Sequence, residues 1–227
     1  MRIMRVIGLM MLSVSASAPA FAQARPPAQP SAPRAWSETG SGYRAYVMFD
    51  QVSFTAKDSF DAVLGKSSLS ATGVGGEFRF WKGLFVRGSY SAMKETGERA
   101  FVVGGQVIPV GIPLSVEMKP FEFSVGWRLP LDRSERFVAY GGGGSLYVKY
   151  RETSDFAEPG ENIDEGFTGQ LAFGGLDVRI WKFVSAGVEV QYRTVPDALG
   201  REGSISAEYE ETNLGGTAIR FMVGIRR

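Results

Sequence analysis

The chain has 227 residues, 44% of them hydrophobic, and its 25 basic and 24 acidic residues give a net charge of +1. A chain this close to neutral has no global field that recruits nucleic acid, so we expect no nucleic-acid partner. Histidine and cysteine are both absent, which removes the most frequent general base, the most frequent transition-metal ligand and all thiolate chemistry. We therefore predict no enzymatic activity and no catalytic, cofactor-binding or metal site.

The first 22 residues have the order of a secretory signal peptide. Arg2 and Arg5 precede an apolar run from Val6 to Val14, and small residues lead to Ala20-Phe21-Ala22, the form that signal peptidase cleaves. The run is shorter than the roughly 20 apolar residues that a membrane-spanning helix needs. We predict that residues 1–22 are removed on export.

Residues 23–40 are predicted to be a linker. Four prolines between Gln23 and Pro33 remove backbone donors and favour a solvated, extended chain. The remaining segment, 41–227, is long enough for one domain with its own core.

Beyond residue 40 the hydrophobic pattern has period two in segment after segment, which is typical of β-strands. It predicts eight strands, at roughly 43–54, 73–81, 84–93, 116–129, 136–150, 167–180, 184–195 and 216–226. Three connections are short, at 81–83, 130–135 and 181–183, and they alternate with four long ones. This alternation predicts an all-β fold, a closed up-and-down antiparallel barrel with its short turns at one end.

The long connection 94–115 contains a possible additional hairpin. Phe101–Ile108 includes the turn signal Gly104-Gly105, but its arms are shorter than the about 9 to 11 residues that span a bilayer. We interpret it as an extension of an outer loop. If both arms joined the wall, the barrel would have ten strands.

Along each strand, one row of alternate residues is apolar and the other is polar. In the fifth and sixth strands the apolar row is predicted to hold Tyr140, Leu146, Val148, Tyr150, Leu171 and Phe173. A β-bulge near Gly174-Gly175 would then return Asp177 to the polar row. That row also carries Asp50 and Lys149, and it includes Arg44, Glu77, Arg79, Arg87, Glu122, Arg128, Glu189, Arg193 and Arg220.

Parity does not decide which row faces inward. A soluble barrel of the lipocalin kind would enclose the apolar row and bind an apolar ligand, whereas a membrane barrel turns that row to lipid. The tryptophans favour the membrane, because Trp36, Trp81, Trp127 and Trp181 all fall at the short-turn end, as an interfacial girdle requires. Tyr90, Tyr150 and Tyr192 fall near the opposite end. The nine charged residues of the polar row would then form an interior ion network with a structural role, because buried charges must pair.

Two other segments contain residue types that also occur in phosphate-binding or calcium-binding loops. The run Gly141–Gly144 lacks the Lys-Ser/Thr pair of a phosphate loop, so we interpret it as strand that a neighbour approaches closely. The loop 151–166 holds six carboxylates, but their spacing matches no calcium loop. We interpret it as a solvated outer loop, and divalent ions bridging it to lipopolysaccharide phosphates remain an alternative.

The strand rhythm, the signal peptide and the final strand, Gly216–Arg227, resemble the small eight-stranded outer-membrane barrels typified by the outer membrane protein A transmembrane domain and the opacity-type proteins. The phase of Phe221, Val223 and Ile225 follows that family, although Arg227 occupies the place of its terminal aromatic residue. The resemblance implies an outer-membrane location, a periplasmic linker, surrounding lipid and lipopolysaccharide, and a monomer. It implies a structural or surface-interaction role with a plugged interior; the alternatives are a narrow pore for small solutes and the soluble periplasmic barrel.

Overall fold

The structure, a computed structural model, describes residues 40–103, 106–157, 162–201 and 204–227. The predicted signal peptide, nearly all of the predicted linker and Trp36 lie outside the described residues. Within the described ranges, no helix has both the length and the apolar character needed to cross a membrane.

Eight antiparallel strands form a closed barrel in which each strand pairs with the next and the last pairs with the first. The predicted eight-stranded barrel is confirmed, and the ten-stranded alternative is wrong. The strands are β1 (Gly42–Phe54), β2 (Ser68–Trp81), β3 (Leu84–Val103), β4 (Gln106–Pro130), β5 (Phe137–Thr153), β6 (Ile163–Arg179), β7 (Val184–Thr194) and β8 (Gly216–Arg226). Two short helices, α1 (Lys57–Leu64) and α2 (Ile205–Glu208), lie in the long connections.

The three short connections lie at one end of the barrel. Between β2 and β3, Lys82 and Gly83 have φ of 45° and 88°, the left-handed values that a two-residue hairpin turn of type I′ needs at both positions. Between β4 and β5, the Asp132 carboxylate accepts hydrogen bonds from the backbone N–H groups of Arg136 (2.9 Å) and Phe137 (2.8 Å). We call this end of the barrel the short-turn end and the other the long-loop end.

The strands at the long-loop end are longer than the sequence pattern predicts. β3 and β4 stay paired up to Val103 and Gln106, with one register shift between Glu98 and Ala100. The interpretation of 94–115 as a loop is therefore wrong, and its hairpin is the tip of the β3–β4 ribbon. Beyond the bilayer the outward face of the ribbon contacts water instead of lipid, so the alternation that marks a membrane strand weakens while the backbone hydrogen bonds continue.

Helix α1 packs into the barrel at the long-loop end. The ring of Phe60 stacks on that of Phe54 at the end of β1, with 4.2 Å between the centroids. The Glu211 carboxylate accepts hydrogen bonds from the Ser59 backbone N–H (2.9 Å) and hydroxyl (2.5 Å), which satisfies a free donor at the helix start. Gly65, with φ of 67°, ends the helix in the left-handed conformation.

In six of the eight strands the apolar row faces outward and the polar row faces the interior. Val47 and Leu129 are each 60% exposed, whereas Arg220 is completely buried. A barrel with an apolar exterior and a charged interior suits a surrounding of hydrocarbon rather than water. The soluble, lipocalin-like alternative is therefore wrong.

The other two strands, β5 and β6, have the opposite phase to the one predicted. Tyr140, Leu146, Val148, Tyr150, Leu171 and Phe173 are all buried in the interior, and Lys149 faces outward. β6 keeps one uninterrupted register with β5 and with β7, so the predicted bulge at Gly174-Gly175 is absent. The prediction failed because part of the interior is apolar, and an apolar side chain in that part follows the opposite parity from one that faces lipid.

The interior side chains are layered along the barrel axis. Charged residues fill the middle and the short-turn side, interleaved with the rings of Phe85, Tyr140 and Phe173, whose centroids lie 6.2 to 6.5 Å apart. Toward the long-loop end an apolar layer follows. It consists of Val52, Phe54, Met93, Met118, Leu146, Val148, Val195 and Leu214, which are all buried.

Candidate functional site

Aromatic side chains ring the outside of the barrel at two levels. At the short-turn end Trp81, Trp127 and Trp181 are exposed, and the first two rings meet edge to face with centroids 6.4 Å apart. Trp and Tyr rings prefer the interface between lipid and water because their bodies are apolar and their tips polar.

The second level lies toward the long-loop end. Tyr90 faces Phe121 across the β3–β4 pair, and Phe121 faces Tyr147 across the β4–β5 pair. Tyr90, Phe121, Tyr147 and Tyr192 are exposed, whereas Tyr150, which was predicted for this level, is buried inside. Between the two levels the outward side chains are apolar or small, so these levels bound the part of the wall that contacts lipid.

Charged side chains appear on the outside immediately beyond the second level. Lys119 lies two residues before Phe121 and Lys149 two residues after Tyr147, and the two lysines face each other across β4 and β5. Arg151 contacts Asp164 (2.5 Å), and its hydrogen bond holds the pKa of that carboxyl below the usual value. We call Lys94, Glu117, Lys119, Lys149, Arg151 and Asp164 the outer charge row.

Inside the barrel, six charged side chains from β1, β3, β4, β7 and β8 form one cluster, the Arg220 cluster: Asp50, Arg87, Glu122, Glu189, Arg193 and Arg220. Arg220 donates to both oxygens of Asp50 (2.8 Å each) and to both oxygens of Glu122 (2.8 and 2.9 Å). Arg193 lies 3.0 Å from Asp50 and 2.9 Å from Glu122. The cluster therefore joins opposite walls of the lumen.

The remaining members of the Arg220 cluster are Arg87 and Glu189. Arg87 donates to both Glu189 oxygens (2.5 and 3.1 Å), and Glu189 lies 3.8 Å from Arg220. The guanidinium of Arg87 also lies over the ring of Phe173, 4.1 Å from its centroid. Three arginines thus face three carboxylates, so the cluster is neutral.

A second cluster lies nearer the short-turn end. Arg128 donates to Glu77 (3.1 Å) and to Asp177 (2.5 Å), and Arg44 donates to the other Asp177 oxygen (3.1 Å). We call these four residues the Arg128 cluster; its two arginines and two carboxylates also balance. Their strands, β1, β2, β4 and β6, again lie on different sides of the lumen.

All nine side chains predicted for the interior network are buried. Eight belong to the two clusters, and Arg79 packs against Gly42 at the short-turn end. The list of site residues missed Asp50 and Asp177, two carboxylates on which the clusters depend. Asp50 has the parity of the polar row and Asp177 was assigned to that row through the predicted bulge, so a search for enough acids to balance the arginines would have found both.

The described residues contain no group of three or more carboxylate, histidine or cysteine side chains arranged to hold a metal ion. The carboxylates of the 151–166 loop are only partly within this region, because residues 158–161 lie outside it. What the clusters do is bring opposite charges together across a lumen that water and ions would otherwise fill.

Comparison with known proteins gives a family and a set of similar structures. The family model described as "Outer membrane protein beta-barrel domain" matches residues 7–226. The outer membrane protein OprG from Pseudomonas aeruginosa is 12% identical, with a TM-score of 0.55, and the match covers 83% of this chain and 97% of OprG.

A second similar structure is Ail, the attachment invasion locus protein of Yersinia pestis, in complex with the heparin analogue sucrose octasulfate. It is 13% identical, with a TM-score of 0.52, and the match covers 83% of this chain and 99% of Ail. At these identities the likeness is one of fold. No curated protein sequence matches the chain.

Proposed function

The chain belongs to the outer membrane protein β-barrel family, and we propose that this outer-membrane protein acts as a plugged barrel with a structural and surface-interaction role. In this proposal the short-turn end faces the periplasm and the long-loop end faces the outside, as in other outer-membrane barrels. Residues 1–22 are cleaved on export, and the linker 23–40 lies in the periplasm.

The observation that carries the proposal is the Arg220 cluster. Its hydrogen bonds join β8 to β1 and β4 through side chains that exclude solvent. An eight-stranded barrel is just wide enough for side chains to fill its interior. A solute would have to break several charge-assisted hydrogen bonds at once, and leaving one charge unpaired costs several kcal/mol. A plug is therefore favoured over a narrow pore.

Conductance in planar bilayers tests the plug. We expect the unmodified protein to show little or no steady conductance in symmetric salt. The double variant Glu122→Ala/Arg220→Ala removes one charge of each sign and empties the centre of the cluster, so we expect channel openings to increase. The matched control is Lys66→Ala/Glu95→Ala, which deletes an exposed ion pair (2.7 Å) outside the lumen. Steady large channels from the unmodified protein would contradict the plug.

For the surface role we propose lipopolysaccharide as the lipid partner. The outer charge row lies where lipid headgroups meet the wall, and its four cations exceed its two carboxylates. Lys119 and Lys149 are partly exposed beside the aromatic level, and their ammonium groups pair with Glu117 (2.6 Å) and Asp164 (3.4 Å). A phosphate at this surface would share the two ammonium groups with those carboxylates. Glu117 and Asp164 in the same row suit divalent ions that bridge carboxylate and phosphate.

Lipid selectivity tests this partner. We expect the Lys119→Gln/Lys149→Gln variant to retain less co-purified lipopolysaccharide than the unmodified protein after detergent extraction. The matched control is Lys82→Gln/Lys182→Gln, which removes two lysines from the short-turn end. Equal lipopolysaccharide retention by both variants would exclude the outer charge row as the contact.

A further inference from the structure

A cavity of about 540 Å³ lies within the long-loop end of the barrel. Its walls come from α1, from the upper parts of β3 to β6 and from the segment around α2. The volume is within the range of about 300 to 1,000 Å³ that is usual for small-molecule sites. We call this space the vestibule.

The vestibule has a closed floor. Beneath it, the apolar layer of the barrel interior leaves a void of only about 20 Å³, lined mainly by apolar side chains such as Val52, Met93 and Met118 and also by Arg193 of the Arg220 cluster. A void of that size holds about one water molecule. A molecule that enters the vestibule therefore stays above the ion clusters.

The walls are mostly apolar. Phe60 and Leu64 of α1 face Leu114 and Val116 of β4, and Leu199 and Ile205 close another side. Phe60 is held in place by its stack on Phe54. These side chains offer an apolar surface that a ligand body would cover, which is the main source of affinity in such pockets.

Three charged side chains, Glu152, Arg99 and Arg201, line the vestibule beyond the lipid-facing part of the barrel, and Glu152 is the acidic one. Tyr150 donates its hydroxyl hydrogen to the Glu152 carboxylate. Burial in the apolar wall raises the pKa of Glu152, and the Tyr150 hydrogen bond and the charges of Arg99 and Arg201 oppose that rise. Arg201 also pairs with Glu165, so its charge is shared between two carboxylates. A further positive charge inside the vestibule would favour the ionised form of Glu152, as the charges of Arg99 and Arg201 do.

The net charge of the surrounding loops also favours a cationic ligand. The four segments 55–72, 94–115, 151–166 and 196–215 together contain 15 acidic and 6 basic residues, a net charge of −9. All of this net charge comes from the last two segments, which carry 11 acids and 2 bases. A negative field at the mouth of a cavity attracts cations and repels anions.

We propose that the vestibule binds small cationic amphiphiles, with an ammonium group at Glu152 and an apolar body against Phe60, Leu114 and Val116. This adds a small-molecule site to the plugged barrel, and it does not depend on whether the lumen conducts. An ammonium–carboxylate contact in a partly dehydrated pocket gives the head group its selectivity, and the apolar walls accept any body of suitable size.

Three probes that share one body test the head group: 4-phenylbutylammonium, 4-phenylbutanol and 4-phenylbutanoate. Each is titrated by calorimetry into the full protein in phosphatidylcholine nanodiscs, with empty nanodiscs as the blank. We expect the ammonium to bind about tenfold or more tightly than the alcohol, a difference that one charge-assisted hydrogen bond supplies, and the carboxylate to bind least. Equal binding of all three probes, tighter binding of the carboxylate, or no binding at millimolar concentration would overturn the proposal.

The variant Glu152→Gln tests the residue. It removes the charge with almost no change of shape, so the ammonium should lose its advantage while the alcohol binds as before. The matched control is Glu98→Gln, which removes an exposed acid of β3 outside the vestibule and should leave all three affinities unchanged. A shift in mobility on boiling shows that each variant has folded. Undiminished preference for the ammonium in the Glu152→Gln variant would exclude Glu152 as its partner.

Discussion

At the scale of single residues, Arg220 forms four hydrogen bonds to two carboxylates in the barrel interior. It is completely buried and shares its hydrogen bonds between Asp50 and Glu122. A buried ion pair is often no more stabilising than apolar packing of the same volume. Removing only one partner of the pair is strongly destabilising, because the other charge then stays buried without compensation.

We expect Arg220→Met to lower the free energy of unfolding by about 3–5 kcal/mol, since Asp50 and Glu122 would lose one of the two arginines that they share and the cluster would hold an excess of buried negative charge. Urea titration of the protein in lipid vesicles measures the change. Adding Glu122→Gln to Arg220→Met should recover part of the loss, because two arginines, Arg87 and Arg193, then face two carboxylates, Asp50 and Glu189. The exposed Lys66→Met variant should differ little from the unmodified protein. A loss of stability below about 1 kcal/mol for Arg220→Met would contradict a structural role for the cluster.

The charged interior residues were predictable from the sequence, and the reason is physical. Within the bilayer a charged side chain has only one tolerable direction, so parity alone places Arg87 or Glu189 inside. Their partners were not predictable, because pairing depends on which strands lie opposite one another across the lumen. Arg128 of β4, for example, donates a hydrogen bond to Asp177 of β6, and these two strands are not neighbours in the barrel.

At the scale of strands, β5 shows where the sequence pattern gives the wrong answer. Toward the short-turn end it carries Gly141–Gly144, and without side chains these residues do not indicate which face of the strand points inward. Toward the long-loop end its apolar residues pack inside the barrel. Two features of the sequence indicate the correct phase. The aromatic residues Phe137 and Tyr147 have the parity that faces lipid. Lys149 has the same parity and lies just beyond the lipid-facing band. The helices α1 and α2 were missed because each is too short for a helical period to emerge.

Inward glycines give the strands room for large interior rings. A Cβ atom added at Gly126 of β4 would lie 2.5 Å from the Phe85 ring and 2.6 Å from the Gly141 carbonyl oxygen. At Gly88 of β3, which faces outward, the nearest atom would be 4.0 Å away. The same residue type therefore has different roles on the two faces of the wall.

We expect Gly126→Ala to destabilise the barrel by about 1–3 kcal/mol, because neither the ring nor the neighbouring strand can move away freely. Gly88→Ala is the matched control and should change stability by less than about 0.5 kcal/mol. Urea unfolding of both variants in the same vesicles measures the difference. Equal stability of the two variants would show that Phe85 has more freedom than its burial indicates.

At the scale of the whole molecule, the two ends differ in shape and in charge. One end has three tight turns and a belt of tryptophans, and the other has the long β3–β4 ribbon, two helices and a strongly acidic surface. The sequence predicted this difference from connection lengths, although it placed the ribbon in a loop.

The absence of cysteine allows a direct test of the proposed orientation. We expect a membrane-impermeant maleimide to label Phe156→Cys, at a residue that is 71% exposed at the long-loop end, in intact cells. Lys182→Cys, in the turn between β6 and β7, should be labelled only after the outer membrane is permeabilised. The reverse pattern would mean that the barrel is inserted the other way up.

The position of Arg220 on β8 also has a consequence for how the barrel is made. Its partner Asp50 lies 170 residues earlier in the chain, and Glu122 lies 98 residues earlier. During synthesis both carboxylates therefore exist well before Arg193 and Arg220, the two arginines that pair with them. A half-assembled wall would carry uncompensated ions, which hydrocarbon does not accept. Pairing of the first and last strands is therefore coupled to insertion into the lipid.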